Sequence, residues 1–193
     1  GIGGLVGSGR TELIKCIYGM LKPTAGEITL NGKKISRSVR KNVLSGFGMV
    51  PEDRRTEGYF PVLSIEKNIN IASFDLLSSL GVTSRRKERR HAEKAISEYD
   101  IRPPMRKLPV GNLSGGNQQK VILGRWLSRD LKVLLLDEPT AGVDVGVKAD
   151  LYKLMREMAS GGGIIIMVSS DVEELSNVSD RVIVMREGRL FEE

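Results

Sequence analysis

Gly4-Leu5-Val6-Gly7-Ser8-Gly9-Arg10-Thr11 has the spacing of a P-loop, G-x-x-x-x-G-K-[ST], with Arg in the place of Lys. The chemistry explains the spacing. Gly4, Gly7 and Gly9, with Ser8 between them, let successive backbone N–H groups curl around phosphate oxygens. A helix beginning near Arg10 would aim its positive end at the same place. Thr11 is positioned to hold Mg²⁺ through its hydroxyl. Arg10 is a larger, planar and permanently charged fork. It still attracts phosphate, but it is less suited than Lys to follow a transferring group. Such a loop is launched from a parallel strand. Only Gly1-Ile2-Gly3 precede it, so the reading expects a chain that begins inside a domain, with N-terminal strands missing.

Outward from the loop, the pattern alternates between helix and strand. Leu13, Ile14, Ile17, Tyr18 and Leu21 form a helical stripe over Thr11 to Leu21, which Pro23 is expected to stop. Glu27 to Leu30 alternates like a strand and runs into Asn31-Gly32, a hairpin signal. Gly48-Met49-Val50 is a short strand. From about Leu63 to Ser128 the pattern is mostly helical, broken at Arg102-Pro103-Pro104. The apolar runs Lys132–Leu136 and Ile164–Val168 fit central parallel strands buried on both faces. Val145 to Met158 reads as the crossover helix between them, and Glu187-Gly188 as the turn of a late hairpin. This is the signature of an α/β fold with a mostly parallel sheet.

The bulk numbers narrow the function. In 193 residues, 40% hydrophobic and 28% charged, there is room for one domain with a real core, and disordered or fibrous classes are excluded. The net charge of +6 raises nucleic acid or acidic ligands as partners. Much of the excess sits in Arg85-Arg86-Lys87-Glu88-Arg89-Arg90, which lacks interleaved aromatics and fits a solvated helix face better. His91, the only histidine, is expected on that exposed face. Cys16, the single cysteine, has no disulfide partner, which points to a reducing compartment. No stretch has the length and apolarity of a membrane span.

Two further motifs carry chemistry. Leu134-Leu135-Leu136-Asp137-Glu138 is a buried strand ending in paired acids, the Walker B arrangement. Asp137 would reach the Mg²⁺ shell and Glu138 would orient or deprotonate an attacking water. Leu113-Ser114-Gly115-Gly116-Asn117 opens a second helix with a second anion cradle.

Taken together, these residues resemble the ABC-type ATPases. The match covers the whole chain: P-loop, a signature sequence at Leu113–Asn117, Walker B, and a D-loop at Ala141-Gly142-Val143-Asp144. The fold the resemblance implies is a P-loop NTPase of the ABC nucleotide-binding type. Residues 1–55 and 129–193 would form a RecA-like core and about 56–128 an inserted helical subdomain. The chain is similar in particular to the C-terminal nucleotide-binding half of fused importer ATPases of the ribose, galactose and arabinose type. Gly7 to Glu12, Pro51 to Arg55, Leu113 to Lys120 and Gly142 to Gly146 carry that narrower match.

The resemblance implies ATP and Mg²⁺ as cofactors. Gly4, Gly7, Ser8, Gly9, Arg10, Thr11 and Glu12 would bind nucleotide in this chain. Ser114, Gly115, Gly116, Asn117 and Asp144 would close on ATP held by a second nucleotide-binding domain. Further partners would be transmembrane permease subunits and, indirectly, a periplasmic or extracellular sugar-binding protein, with no nucleic acid. The expected location is peripheral, on the cytoplasmic face of the cell membrane. Glu52, Tyr59 and Phe60 are candidates for contact with the permease.

Three positions depart from the family pattern. Arg10 replaces Lys, Glu52 (a catalytic and Mg²⁺ candidate beside Thr11 and Asp137) stands where the Q-loop Gln usually sits, and Ser170 stands where a His contacts the γ-phosphate. The expectation is therefore a P-loop site that binds ATP and hydrolyses it slowly, beside a signature that completes a partner's better site. The competing readings are a non-hydrolytic regulatory half, and a soluble ATPase acting on nucleic acid or the ribosome. The second would call for long insertions, which are absent.

Overall fold

The computed structural model describes residues 1–191, so the last two residues of the 129–193 segment lie outside the described residues. Strand β1 (Ile2–Gly3) feeds the P-loop and helix α1 (Arg10–Tyr18). A hairpin, β2 (Thr29–Leu30) and β3 (Lys33–Lys34), turns at Asn31-Gly32 as expected. Helix α2 (Val39–Leu44) and strand β4 (Phe47–Val50) follow. Then come α3 (Ile65–Asn70), α4 (Phe74–Leu77), a small hairpin β5 (Ser78–Ser79) and β6 (Val82–Thr83), α5 (Arg85–Glu98) and α6 (Gly115–Leu127). Strand β7 (Val133–Asp137), α7 (Val145–Ser160), β8 (Ile164–Ser169), α8 (Val172–Val178), β9 (Ile183–Arg186) and β10 (Arg189–Phe191) complete it.

Six strands form one sheet in the order β10-β9-β1-β8-β7-β4, parallel except for the β9/β10 hairpin. β7 lies between β8 and β4, paired on both edges and packed against α1, and Leu134, Leu135 and Leu136 are fully buried. β8 departs from the expected burial. Its last half is buried, but Ile164 is 42% exposed. Ile164 enters the strand just after the exposed Gly161-Gly162 turn that leaves α7.

Helix α1 is shorter than its apolar stripe. It ends at Gly19, which takes φ 92° and donates its N–H to the carbonyls of Lys15 and Cys16. Gly19, not Pro23, is the stop, because glycine reaches the left-handed cap without a Cβ clash. α3 packs against α5 and α6, and α6 also lies on β4. Side-chain caps start several helices: Ser64 on α3, Ser84 on α5, Asp144 on α7 and Asp171 on α8. The basic run on α5 is exposed at Arg85, Arg86, Lys87, Arg89 and Arg90, as a solvated face should be.

His91 is not on that face. It is half-buried, with Nδ1 2.8 Å from Asn70 Oδ1 and Nε2 3.3 Å from the Ser128 carbonyl. Burial holds its imidazole below the usual histidine range. The helical period turns position 91 toward α3, while its basic neighbours face water. Among the described residues, no helix is long and apolar enough to cross a membrane.

Candidate active site

The P-loop leaves β1 beneath the β9–β10 hairpin. Gly7 and Gly9 take φ of 82° and 97°, and Gly9 caps α1. The loop is pinned by Ser8 N–H to the Leu5 carbonyl at 3.1 Å and by Gly188 N–H to the Ser8 carbonyl at 2.9 Å. Gly4 is required for a steric reason. A Cβ there would lie 2.3 Å from the Met185 carbonyl oxygen and 2.9 Å from Ser8 Oγ. Since the first of these is backbone in a paired strand, Gly4→Ala is expected to cost about 3 kcal/mol of stability and to weaken ATP binding. Thermal melts with and without MgATP check both effects.

Five buried side-chain polar atoms lack a partner among the described residues; Ser73 Oγ and Trp126 Nε1 lie away from the loop, and the other three gather at it. Ser8 Oγ and Arg10 Nη1 are buried donors with no acceptor, and Asp137 Oδ2 is a buried acceptor with no donor. Such atoms are rare in a finished interior. Two donors fit phosphate oxygens and the acceptor fits a cation or its water shell. Thr11 Oγ1 donates to Asp137 Oδ1 at 3.2 Å, so the two proposed Mg²⁺ groups are already side by side. Burial raises Asp137 to a pKa of about 6; the Thr11 bond opposes this, and the charges of Glu52 and Glu138 add to it. Glu52 is exposed and acts on the pair through its charge. Among the described residues, no three His, Cys, Asp or Glu side chains converge as a metal cage. Mg²⁺ suits this poverty, since it takes most of its ligands from phosphates and water. Glu12 is exposed in the first turn of α1.

Glu138 follows β7 with φ 43°, in the left-handed region that a non-glycine residue seldom takes. Its backbone N–H bonds the Val168 carbonyl at 3.0 Å, which fixes the turn against β8. Arg10 Nη2 lies 3.2 Å from Glu138 Oε1, and both side chains are largely buried. The same oxygen accepts the Ser170 backbone N–H at 2.7 Å. Ser170 thus reaches the site through its main chain, and the residue itself is exposed. Sequence reasoning missed Ser169, whose Oγ lies 3.3 Å from Glu138 Oε2 and 2.9 Å from Glu174 Oε2. Glu174 also accepts the hydroxyls of Thr140 and Tyr152. Its only local signal is the Asp171-x-x-Glu174 spacing, which reads as a helix cap and indeed caps α8.

The second cradle stands apart. Ser114 is exposed at the start of α6, and its Oγ accepts Asn117 Nδ2 at 3.0 Å. Asn117 Oδ1 accepts the Arg102 N–H at 2.6 Å. None of the hydrogen bonds of the described residues joins Ser114–Asn117 to the P-loop. Gly116 sits against α7: a Cβ would lie 2.4 Å from Val147 Cγ2. Arg54, given no role from sequence, donates to the carbonyls of Ala141 and Gly142 at 3.0 and 3.4 Å. Its guanidinium also lies where a Cβ on Gly115 would stand, at 2.9 Å. Asp144 has a local task, accepting the Val147 N–H at 3.0 Å as the cap of α7. Tyr59 is buried in the core, whereas Phe60 is 48% exposed.

Residues 1–141 match the family of the ABC transporter. The chain belongs to the ABC transporter family. Among ABC relatives it is 46% identical to the arabinose import ATP-binding protein AraG 2 of Burkholderia cenocepacia (strain HI2424), over 98% of this chain and 37% of that protein. It is equally 46% identical to AraG of Azospirillum brasilense, over 98% of this chain and 37% of that protein. The chain therefore spans a little over a third of the relatives it matches. Its fold is that of ATP-binding cassettes. The dimeric post-hydrolysis structure of the cassette MJ0796, bound to ADP and Pi, superposes with a TM-score of 0.82 at 22% identity, covering 99% of this chain and 83% of that one. The cassette cbiO1 of Clostridium perfringens, part of the complex cbiONQ, gives 0.79 at 27% identity, covering 98% of this chain and 74% of that one.

Proposed function

We propose that this chain is a nucleotide-binding half of an ATPase that powers import of a sugar through a membrane permease. The observation that carries the nucleotide site is the set of unpaired buried atoms on Ser8, Arg10 and Asp137. The relatives named for arabinose import support a sugar as cargo. Residues 1–55 and 129–193 form the nucleotide-binding core and about 56–128 the helical subdomain, with Phe60 available to a permease helix. The signature at Ser114–Asn117, with Ser114 exposed and no hydrogen bond to its own P-loop, serves ATP bound by a second nucleotide-binding domain, the N-terminal half of the same protein. A sugar-binding protein delivers cargo outside, and the chain sits at the cytoplasmic face.

Bound Mg²⁺ neutralises phosphate charge, and Thr11 and Asp137 are the groups that would hold it, with Glu52 acting from the rim. Glu138 is the candidate base. Its carboxylate is engaged by Arg10 at 3.2 Å, so this half hydrolyses slowly. The same ion pair favours a second reading, in which this half binds nucleotide and never hydrolyses it.

Turnover of the intact protein tests both. Arg10→Lys with Ser170→His should raise hydrolysis at this site on the order of tenfold, about 1.4 kcal/mol of barrier. Two equally hydrolytic wild-type sites, with no response to the double change, would end the asymmetric model. No hydrolysis at this site before or after the change, with MgATP binding intact, selects the regulatory reading.

A further inference from the structure

Glu174 is a buried carboxylate that the nucleotide site does not touch. Its side chain is 4% exposed, and it draws together three otherwise separate parts of the chain. Oε1 accepts the Thr140 hydroxyl, two residues beyond Glu138, at 2.5 Å, and also the Tyr152 hydroxyl from α7. Oε2 accepts Ser169 Oγ–H from the end of β8 at 2.9 Å. Lys148 lies 3.9 Å away. Among the described residues Glu174 thus accepts from three hydroxyl groups.

Ser169 decides what this means for the site. A hydroxyl has one hydrogen. Ser169 Oγ already accepts the Asp171 N–H at 3.1 Å, and two carboxylate oxygens compete for its hydrogen. Glu174 at 2.9 Å is closer than Glu138 at 3.3 Å. While Glu174 holds that hydrogen, Glu138 Oε2 receives no donor from Ser169 and keeps its full basicity, its other oxygen being engaged by Ser170 and Arg10.

We infer that Glu174 is a positioning residue which, by holding the single Ser169 hydroxyl hydrogen, keeps Ser169 from donating to Glu138 and so preserves the basicity of the Glu138 oxygen that faces the attacking water. This rests on reading Glu138 as the base of a slow nucleotide site. Gln at 174 reverses the hydrogen bond. Its carbonyl still serves Thr140 and Tyr152, while its amide donates to Ser169 Oγ. The Ser169 hydrogen then turns to Glu138 Oε2, stabilises its charge and makes it a weaker base toward water.

The test uses the intact protein with the companion domain's own catalytic carboxylate replaced, so that single turnover of MgATP reports this site. Glu174→Gln should lower kcat roughly tenfold with KM within about twofold. Adding Ser169→Ala to Glu174→Gln removes the misdirected donor and should recover most of the loss. Thermal melts of both variants are run alongside. A merely structural role predicts a lowered melting point and a double variant no faster than Glu174→Gln, which would overturn the inference. So would an unchanged kcat in Glu174→Gln while Glu138→Gln is inactive. If Glu138→Gln itself leaves turnover unchanged, the reading of Glu138 fails, and the inference with it.

Discussion

Replacing Arg125 by alanine is expected to destabilise the protein by about 3–5 kcal/mol, the cost of leaving a buried charged network half-built. Arg125 lies inside α6 and is 7% exposed. Its Nε donates to the Asn68 carbonyl at 2.7 Å, Nη1 to the Gly58 carbonyl at 2.8 Å and Nη2 to Asn68 Oδ1 at 3.2 Å. Asn68 is fully buried and ties the same segment through the carbonyls of Phe60, Leu63 and Ser64. Among the described residues no carboxylate pairs with Arg125. The charge is held by neutral oxygens, and burial pulls its pKa down to about 10, still protonated at neutral pH. Alanine would orphan the carbonyls of Gly58 and Asn68 in a place water cannot reach. Lysine offers one point of charge in place of a three-pronged fork, so Arg125→Lys should recover less than half of the loss. Equilibrium denaturation checks the magnitude. Hydrogen exchange should show the opening concentrated in residues 58–68 and α6. A loss below about 1 kcal/mol would mean that the segment repacks without the guanidinium.

Arg125 also shows where sequence reading ends. What was legible was local or had a short motif: the P-loop, the strand that ends in Asp137-Glu138, the hairpin at Asn31-Gly32, the second cradle at Ser114. Each owes its conformation to neighbours within a few residues. The buried polar pairs have no such signal. Arg125 meets Asn68 across 57 positions, and Glu174 meets Thr140 across 34. Before the fold is known, an arginine in a helical run reads as surface and a glutamate after Asp171 reads as a cap. His91 failed for the same reason: composition placed it among its basic neighbours, whereas one step around α5 turns it to Asn70. β8 was misjudged in extent, because its first residue follows the exposed turn from α7, which the apolar run itself does not reveal. Arg54 carried a resemblance without a role until its carbonyl partners at Ala141 and Gly142 were visible.

Asp137→Asn is expected to make the nucleotide-free protein more stable at neutral pH and to remove its MgATP response. Burial raises this carboxyl from 3.8 to about 6. An acid whose folded pKa exceeds its unfolded one opposes folding when ionised. The native state takes up its proton between about pH 6 and 4, where the unfolded chain does not, so this contribution to stability rises as pH falls through that window. Above pH 6 the penalty is complete, at about 3 kcal/mol as an upper bound. Asparagine removes the charge and keeps an acceptor for Thr11, but its amide must find a partner beside the unpaired position, so the expected gain at pH 7.5 is about 1–3 kcal/mol. The difference between variant and wild type should shrink below pH 6 and close near pH 4. With MgATP the order reverses: the ligand should stabilise wild type, and the variant should gain little. Hydrolysis at this site should fall below detection. Thermal melts of both proteins from pH 4 to 8, with and without MgATP, read every part of this. An Asn variant less stable than wild type at pH 7.5 without ligand would show that the carboxylate is already compensated by groups within the fold. A unit of negative charge would then not be held in reserve for a cation, and the case for Thr11 and Asp137 as the Mg²⁺ groups would have to rest on the P-loop alone.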